Sequence, residues 1–298
     1  MEKKLNKYLI FYLSTLLGFS YFFLSIKYQV GNDSTISEWF INYEGGFTKR
    51  GLIGQLAISL TRFFDTDLRW VIFLLQSFTC SIYFLLLYNF LKNLKYERVI
   101  ILSIFTPIFI LYPIAEIEVL ARKEIIVFSF LIIYLFVPRK SNFKIISFII
   151  FSVLSMLVWE PIIFFFPILF IYEMIDKEIE KFDLNFLRII IYFIPSLTIA
   201  FIMIFNPLSK DEHQLMASVL KNEFGENCYM SCGLLGSKSS IIQQFEGNYG
   251  KYSLEIFIRY FLIILIGFFP LFTLIKNSSL KNNKLILLRY IKSPLALF

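Results

Sequence analysis

Residues 145–172 read IISFIIFSVLSMLVWEPIIFFFPILFIY, an apolar run with a single charged residue, Glu160, near its centre. As one helix at 1.5 Å per residue, the run would be about 42 Å long, whereas the hydrocarbon core of a bilayer is about 30 Å thick. Pro161 disfavours helix at the residue before it. We therefore expect a short helical hairpin with its turn at Glu160. The alternative is a single tilted and kinked helix.

Apolar segments occur along the whole chain, in which 57% of the residues are hydrophobic. Runs of about 18 or more apolar residues are typical of transmembrane helices. The predicted fold is all-α, a polytopic transmembrane helix bundle with about eight or nine membrane segments including the hairpin. The other segments are roughly 8–26, 70–91, 99–114, 125–137, 189–206, 255–275 and a ragged last one from 285.

The sequence predicts one integral membrane domain over residues 1–298, with outer loops at 28–68 and 207–254. No small-residue cleavage site follows the first apolar run, so we expect an uncleaved first span. From Leu285 the last segment begins like a span, but Arg289 and Lys292 interrupt it. It is either an interfacial tail or a truncated span, and we favour a truncated C-terminus.

The distribution of lysine and arginine predicts the orientation of the chain. With the N-terminus in the cytoplasm and the hairpin accepted, about fifteen basic residues fall on short inner connections, as the positive-inside rule requires. A single crossing at 145–172 would invert the pattern downstream. We expect a multi-pass protein of the bacterial inner membrane. The net charge of +7 arises at the ends of spans, which indicates the lipid bilayer as a partner and argues against nucleic acid.

This topology brings polar residues from distant loops to the outer face. Two glycines next to a helix start can cradle an anion, and a dibasic pair there favours phosphate. The run 51–64 is amphipathic and is predicted to lie as a helix at the membrane interface. The predicted phosphate-binding residues are Gly45, Gly46, Lys49, Arg50, Arg122 and Lys123.

Three carboxylates on the same face are candidates for a general base that deprotonates an acceptor hydroxyl: Glu38, Glu44 and Glu160. A carboxylate flanked by apolar residues, such as Glu160, is a candidate functional group in a membrane protein. The structural alternatives are ion pairs within the loops, contacts of the dibasic pairs with lipid headgroups, and capping of the hairpin by Glu160.

The three cysteines are Cys80, Cys228 and Cys232. In an oxidising exterior we expect a local disulfide between Cys228 and Cys232 in the long outer loop. Cys80 lies in an apolar span, where packing is the expected role. The cysteines make no metal-ligand pattern, so neither a metal nor a cofactor is predicted.

The run Glu44-Gly-Gly-Phe-Thr-Lys-Arg-Gly-Leu-Ile-Gly54 resembles a loop motif of uncharacterised bacterial multi-pass membrane proteins found among surface-polysaccharide genes. Their motif reads like Gly-Gly-Phe-x-Arg-Arg-Gly-Leu, and Lys49 replaces its first arginine, which keeps the charge but loses the guanidinium fork. Arg122-Lys123-Glu124 and Glu160-Pro161 look like later motifs of that group. The resemblance implies a cell-envelope glycan context and supplies no established catalytic residues.

These observations predict a membrane enzyme of bacterial surface-polysaccharide assembly, similar to a glycosyltransferase or polymerase. Its expected substrate is a polyprenyl-diphosphate-linked sugar at the outer face. One alternative is a transporter or flippase of lipid-linked glycan, but the predicted spans are nearly free of charge away from their outer ends. Another alternative is a non-catalytic membrane subunit that docks through its charged loops.

Overall fold

The computed structural model describes residues 2–30, 34–92, 104, 120–138, 143–176, 184–236, 253–259 and 261–262. Every regular element among these residues is helical, which confirms the all-α prediction for this part of the chain. The α-helices are α1 (Glu2–Gln29), α2 (Ser34–Trp39), α3 (Gly51–Phe64), α4 (Leu68–Leu91), α5 (Glu124–Phe136), α6 (Phe143–Val158), α7 (Phe166–Asp176), α8 (Leu184–Phe205) and α9 (Lys210–Phe224). Short 3-10 helices cover Glu160–Phe165 and Gly233–Gly236.

Three helical segments are long and apolar enough to cross a membrane: Leu5–Gln29, Leu68–Leu91 and Leu187–Phe205. They correspond to three of the predicted segments, and α5 and α6 are shorter apolar helices. The chain is therefore a helical membrane protein. The predicted segments 99–114 and 255–275 and the last segment lie largely or wholly outside the described residues. The number of spans and the state of the C-terminus stay predictions.

The chain reverses its direction after α6. Trp159 has an extended backbone, with φ −156° and ψ 96°, and the 3-10 helix Glu160–Phe165 then leads into α7. The Nζ atom of Lys144, at the start of α6, lies 5.3 Å from the ring centre of Tyr172 in α7. A continuous helix would hold these two residues about 42 Å apart. The path of the chain is thus that of the predicted hairpin with its turn at Glu160, and a single helix does not accommodate the contact.

Aromatic side chains pack the hairpin against its neighbours. Phe193 of α8 contacts Phe148 of α6 and Phe166 of α7, with ring centroids 4.9 Å apart in each pair. Tyr134, near the end of α5, stacks on Phe151 of α6 at 5.6 Å. In a bilayer such van der Waals packing, rather than the hydrophobic effect, holds helices together. Phe128, earlier in α5, lies 6.4 Å from Phe165, just after the end of α6. The two helices are therefore antiparallel, and the start of α5 and the end of α6 lie at the same end of the bundle.

The end of α1 and the start of α4 lie at this same end. The ring of Tyr28 lies 6.0 Å from that of Trp70, and Trp39 Nε1 donates a hydrogen bond to the Ala121 carbonyl at 3.1 Å. Helix α9 covers this end, where its backbone contacts Gly45. We call residues 34–50, 120–124, 159–160 and 206–236 the charged end.

Candidate functional site

Arg50 links the first loop to the turn of the hairpin. It precedes α3 in a left-handed conformation, with φ 61° and ψ 11°. Its guanidinium makes a bidentate ion pair with Glu160, in which Nε donates to Oε2 at 2.6 Å and Nη2 donates to Oε1 at 2.9 Å. Nη1 donates to Glu38 Oε1 at 2.7 Å. Such bidentate, charge-assisted bonds fix geometry as well as charge. One arginine therefore fixes the loop and the hairpin turn, 110 residues apart, in one arrangement.

Glu38 is the buried centre of the site, and its side chain is 0% exposed. A second arginine reaches it from the other loop, because Arg122 Nε lies 2.9 Å from Glu38 Oε2. Burial raises the pKa of Glu38, but the hydrogen bond with Arg122 and the charges of Arg122, Arg50 and Lys123 outweigh burial and hold the pKa below its ordinary value. Glu38 is therefore a stable carboxylate that holds two arginines together.

Lys123 is a fully buried amine beside this pair of arginines. Its Nζ donates a hydrogen bond to the backbone carbonyl of Arg50. Burial lowers the pKa of Lys123 to about 7, with Glu38 acting in the opposite direction and Arg50 adding to the decrease. This amine gains and loses its proton in the neutral range, unlike an exposed lysine.

Glu124 begins α5 on the other side of Arg122. Its Oε1 lies 3.6 Å from Arg122 Nη2, and its Oε2 is buried with no hydrogen-bond donor among the described residues. Burial and the negative charge of Glu38 raise the pKa of Glu124, while Arg122, the Glu124 backbone N–H and Arg50 act against them. The sequence places Glu124 next to the predicted pair but does not single it out. Its position directly before the apolar run 125–137 is the available signal.

The structure brings most of the predicted residues to one place. We call the following six residues the charged cluster: Glu38, Arg50, Arg122, Lys123, Glu124 and Glu160. Its members come from the first loop, the segment before α5 and the turn after α6. Three acids face three bases, so the cluster is close to neutral as a whole.

Glu44 belongs to a separate network. It accepts hydrogen bonds from Arg62 at 2.8 and 3.3 Å and from Gln55 Nε2 at 2.9 Å. Arg62 also binds Glu223 of α9 at 2.8 Å. The hydrogen bonds from Arg62 and Gln55 lower the pKa of Glu44. This network joins α3 to α9, and the sequence analysis did not predict it.

The glycines of the first loop pack against backbone. A Cβ atom on Gly45 would lie 2.0 Å from the carbonyl oxygen of Glu212 in α9. Gly46 has a backbone φ of 137°, which residues with a side chain rarely adopt. Close packing against α9 thus accounts for Gly45 without a ligand. The phosphate-binding role of both glycines stays a prediction.

Lys49 is exposed at the edge of a cleft of about 160 Å³. The cleft is lined by Ile41, Lys49, Arg50, Ser231 and Leu235. The last two residues belong to the long loop that follows α9, and no pattern in the sequence connects them with the first loop. The two residues of the predicted dibasic pair therefore have different environments. Arg50 is held in the charged cluster, and Lys49 lies at the cleft.

A disulfide joins Cys228 and Cys232 in the loop beside this cleft, with a Cα–Cα distance of 5.2 Å. Cys232 is buried, and its carbonyl oxygen lies 3.1 Å from His213 Nε2. The ring of Tyr229, between the two cysteines, lies 6.3 Å from Phe40. The small disulfide loop is thus packed against α9 and the first loop. Among the described residues no group of histidine, cysteine and acidic side chains could hold a metal ion.

Comparison with known proteins finds no matching family model, no matching curated protein and no matching solved structure.

Proposed function

We propose that the chain is an integral membrane enzyme of surface-polysaccharide assembly. It transfers a sugar from a polyprenyl-diphosphate carrier to an acceptor hydroxyl, as a glycosyltransferase or polymerase does. The charged end is its site, and it faces the outer side of a bacterial inner membrane. The N-terminus then lies in the cytoplasm, and the hairpin enters and leaves the bilayer from the cytoplasmic side.

The convergence of the charged cluster is the observation that carries this proposal. Arg122 reaches Glu38 across 84 residues of sequence, and Arg50 reaches Glu160 across 110 residues. Taking charges out of water is costly and adds little stability, so a cluster of this kind at the ends of apolar helices supports a functional site. Groups with pKa values moved toward neutrality, such as Lys123 and Glu124, are typical of active sites.

The cleft beside the cluster is the proposed phosphate site. Three of the five N–H groups of Arg50 donate to the carboxylates of Glu38 and Glu160. Lys49 has no such carboxylate among the described residues and is exposed at the cleft. In the proposed site Lys49 is the main charge for a diphosphate, and Ser231 adds a hydroxyl donor on the facing loop.

The test uses Lys49→Ala with Lys221→Ala as the matched control. Lys221 is an exposed lysine of α9, away from the cleft lining. Purified proteins in proteoliposomes are titrated with polyprenyl diphosphate, and transfer is followed with a lipid-linked sugar donor. We expect Lys49→Ala to weaken binding by about tenfold, since a charge-assisted hydrogen bond contributes about 1.5–3 kcal/mol. Equal binding by both variants would refute the phosphate site.

A non-catalytic membrane subunit is the second candidate function. The matched charges of the cluster favour it, because the arginines already have carboxylate partners. In that case the cluster holds the loops in shape for docking. Sugar transfer by the purified chain alone, in proteoliposomes without a second protein, would exclude this candidate.

A further inference from the structure

The three carboxylates predicted as bases have their oxygens occupied. Both oxygens of Glu38 accept from arginines, Glu160 is held by the fork of Arg50, and Glu44 accepts from Arg62 and Gln55. A general base needs a free lone pair directed at the proton that it removes. Each of these carboxylates would have to break charge-assisted bonds before it could act.

Glu124 has a different environment. Its Oε2 is buried and has no hydrogen-bond donor among the described residues. Its Oε1 lies 3.6 Å from Arg122 Nη2, and the carboxylate also accepts a hydrogen bond from the Glu124 backbone N–H. A buried polar atom without a partner is unusual and calls for an explanation. An oxygen left free to take a proton from a substrate explains it.

The charges around Glu124 come from several elements. Glu38 of α2 repels its negative charge, whereas Arg122 and Arg50 attract it. Lys123 precedes Glu124 in the chain, and the negative charge of Glu160 raises the pKa of the Lys123 amine. Because burial and Glu38 outweigh the arginines and the hydrogen bond from the Glu124 backbone N–H, the pKa of Glu124 is raised. A base of this kind gains driving force for proton removal near neutral pH.

We propose that Glu124 is the catalytic base of the charged end and accepts the proton of the acceptor hydroxyl. This assignment rests on the proposed function. The acceptor oxygen forms a bond to the anomeric carbon as its proton passes to the Glu124 carboxylate. The bond between that carbon and the phosphate oxygen breaks, and its electron pair leaves with the polyprenyl diphosphate.

The first measurement observes the proton itself and needs no substrate. The full chain is titrated in lipid nanodiscs by infrared spectroscopy, with Glu124→Gln and, as the control, Glu223→Gln, an exposed glutamate of α9. We expect a protonated-carboxyl band that persists to higher pH than the band of an ordinary glutamate, because the pKa of Glu124 is raised. It should be present in the wild type and Glu223→Gln and absent in Glu124→Gln. A wild type without this band would overturn the assignment.

The second measurement follows sugar transfer from the lipid-linked donor. We expect Glu124→Gln to be slower by about 100-fold or more, as loss of a general base typically causes. The acid limb of the pH–rate profile should also disappear, and Glu124→Asp should recover part of the rate. A rate for Glu124→Gln within about threefold of the wild type would overturn the assignment. A wild type that shows the band but transfers no sugar would refute the proposed function, yet support Glu124 as a proton-binding carboxyl.

Discussion

At the scale of single residues, Arg50 combines two roles that are usually separate. Its left-handed backbone ends the first loop, and its side chain and carbonyl both belong to the charged cluster. The dibasic pair could be predicted from the sequence, but not the division of roles between Arg50 and Lys49. Side-chain pairing depends on which carboxylates approach in space, and Glu38 and Glu160 approach only after the helices have packed.

Arg50→Met is expected to destabilise the protein by about 3–5 kcal/mol, because it removes the arginine that pairs with Glu160 and leaves Glu38 with Arg122 alone. Partial exposure of the Arg50 and Glu160 side chains, 20% and 24%, places the effect in the lower part of this range. Urea unfolding of the detergent-purified protein measures it.

A double-mutant cycle with Glu160→Gln isolates the pair. The double variant should be less destabilised than the sum of the single variants, with a coupling of about 0.5–3 kcal/mol. Strictly additive effects would show that the fork makes no energetic contribution.

The buried amine of Lys123 makes stability depend on pH. Its pKa of about 7 in the folded chain is below the ordinary value of 10.5 that it regains on unfolding. Between these values the unfolded chain binds one more proton, so this group makes stability rise as the pH increases from about 7 to about 10.5. Lys123→Met should remove this part of the rise.

Melting temperatures of the wild type, Lys123→Met and Lys221→Met at about pH 7.5 and about pH 9.5 test this. Because Lys221 is exposed, Lys221→Met should show the same increase in melting temperature with pH as the wild type. The same rise in all three proteins would contradict a neutral Lys123 in the folded state.

At the scale of elements, α3 begins and ends where the amphipathic pattern places it, at Gly51–Phe64. The pattern does not reveal what covers the helix. Gly54 touches the first loop so closely that a Cβ atom would lie 1.9 Å from the Ile41 carbonyl oxygen. Hydrophobic periodicity identifies the buried face of a helix but not its partner. The contact of Gly45 with α9 was missed for the same reason.

Gly54→Ala should therefore be destabilising by about 1–3 kcal/mol, since overpacking forces backbone to shift. Gly18→Ala in α1 is the control, because no atom lies within 4 Å of its added Cβ. That substitution should be neutral or stabilising by about 0.5–1 kcal/mol, as expected for alanine in place of glycine in a helix. The free energies of unfolding of the two variants are measured under the same conditions. Equal values would contradict the close packing of α3.

At the scale of the whole molecule, the convergence of distant charges could be predicted from topology alone. Alternating apolar segments place every second connection on the same side, and a hairpin at Glu160 keeps this order. The separate network of Glu44, and the Glu124 oxygen that has no donor within the described part of the chain, could not be predicted, because both depend on distances of a few ångströms between loops.

Single cysteines in a background without Cys80 test the topology with a membrane-impermeant maleimide on intact cells. Thr66→Cys and Asp211→Cys lie on exposed residues of the charged end or next to it, and Phe143→Cys lies at the opposite end of α6. With a hairpin at Glu160, the reagent should label Thr66→Cys and Asp211→Cys but not Phe143→Cys. Labelling of Thr66→Cys alone would indicate a single crossing at 145–172.

The salt bridge between α3 and α9 has a consequence for biosynthesis. Arg62 and its partner Glu223 are 161 residues apart. At about 5–20 residues per second, a ribosome needs roughly 8–32 s to make the chain between them. During that interval α3 and the loop before it lack the cover of α9, and a chaperone or the insertion machinery has time to engage them.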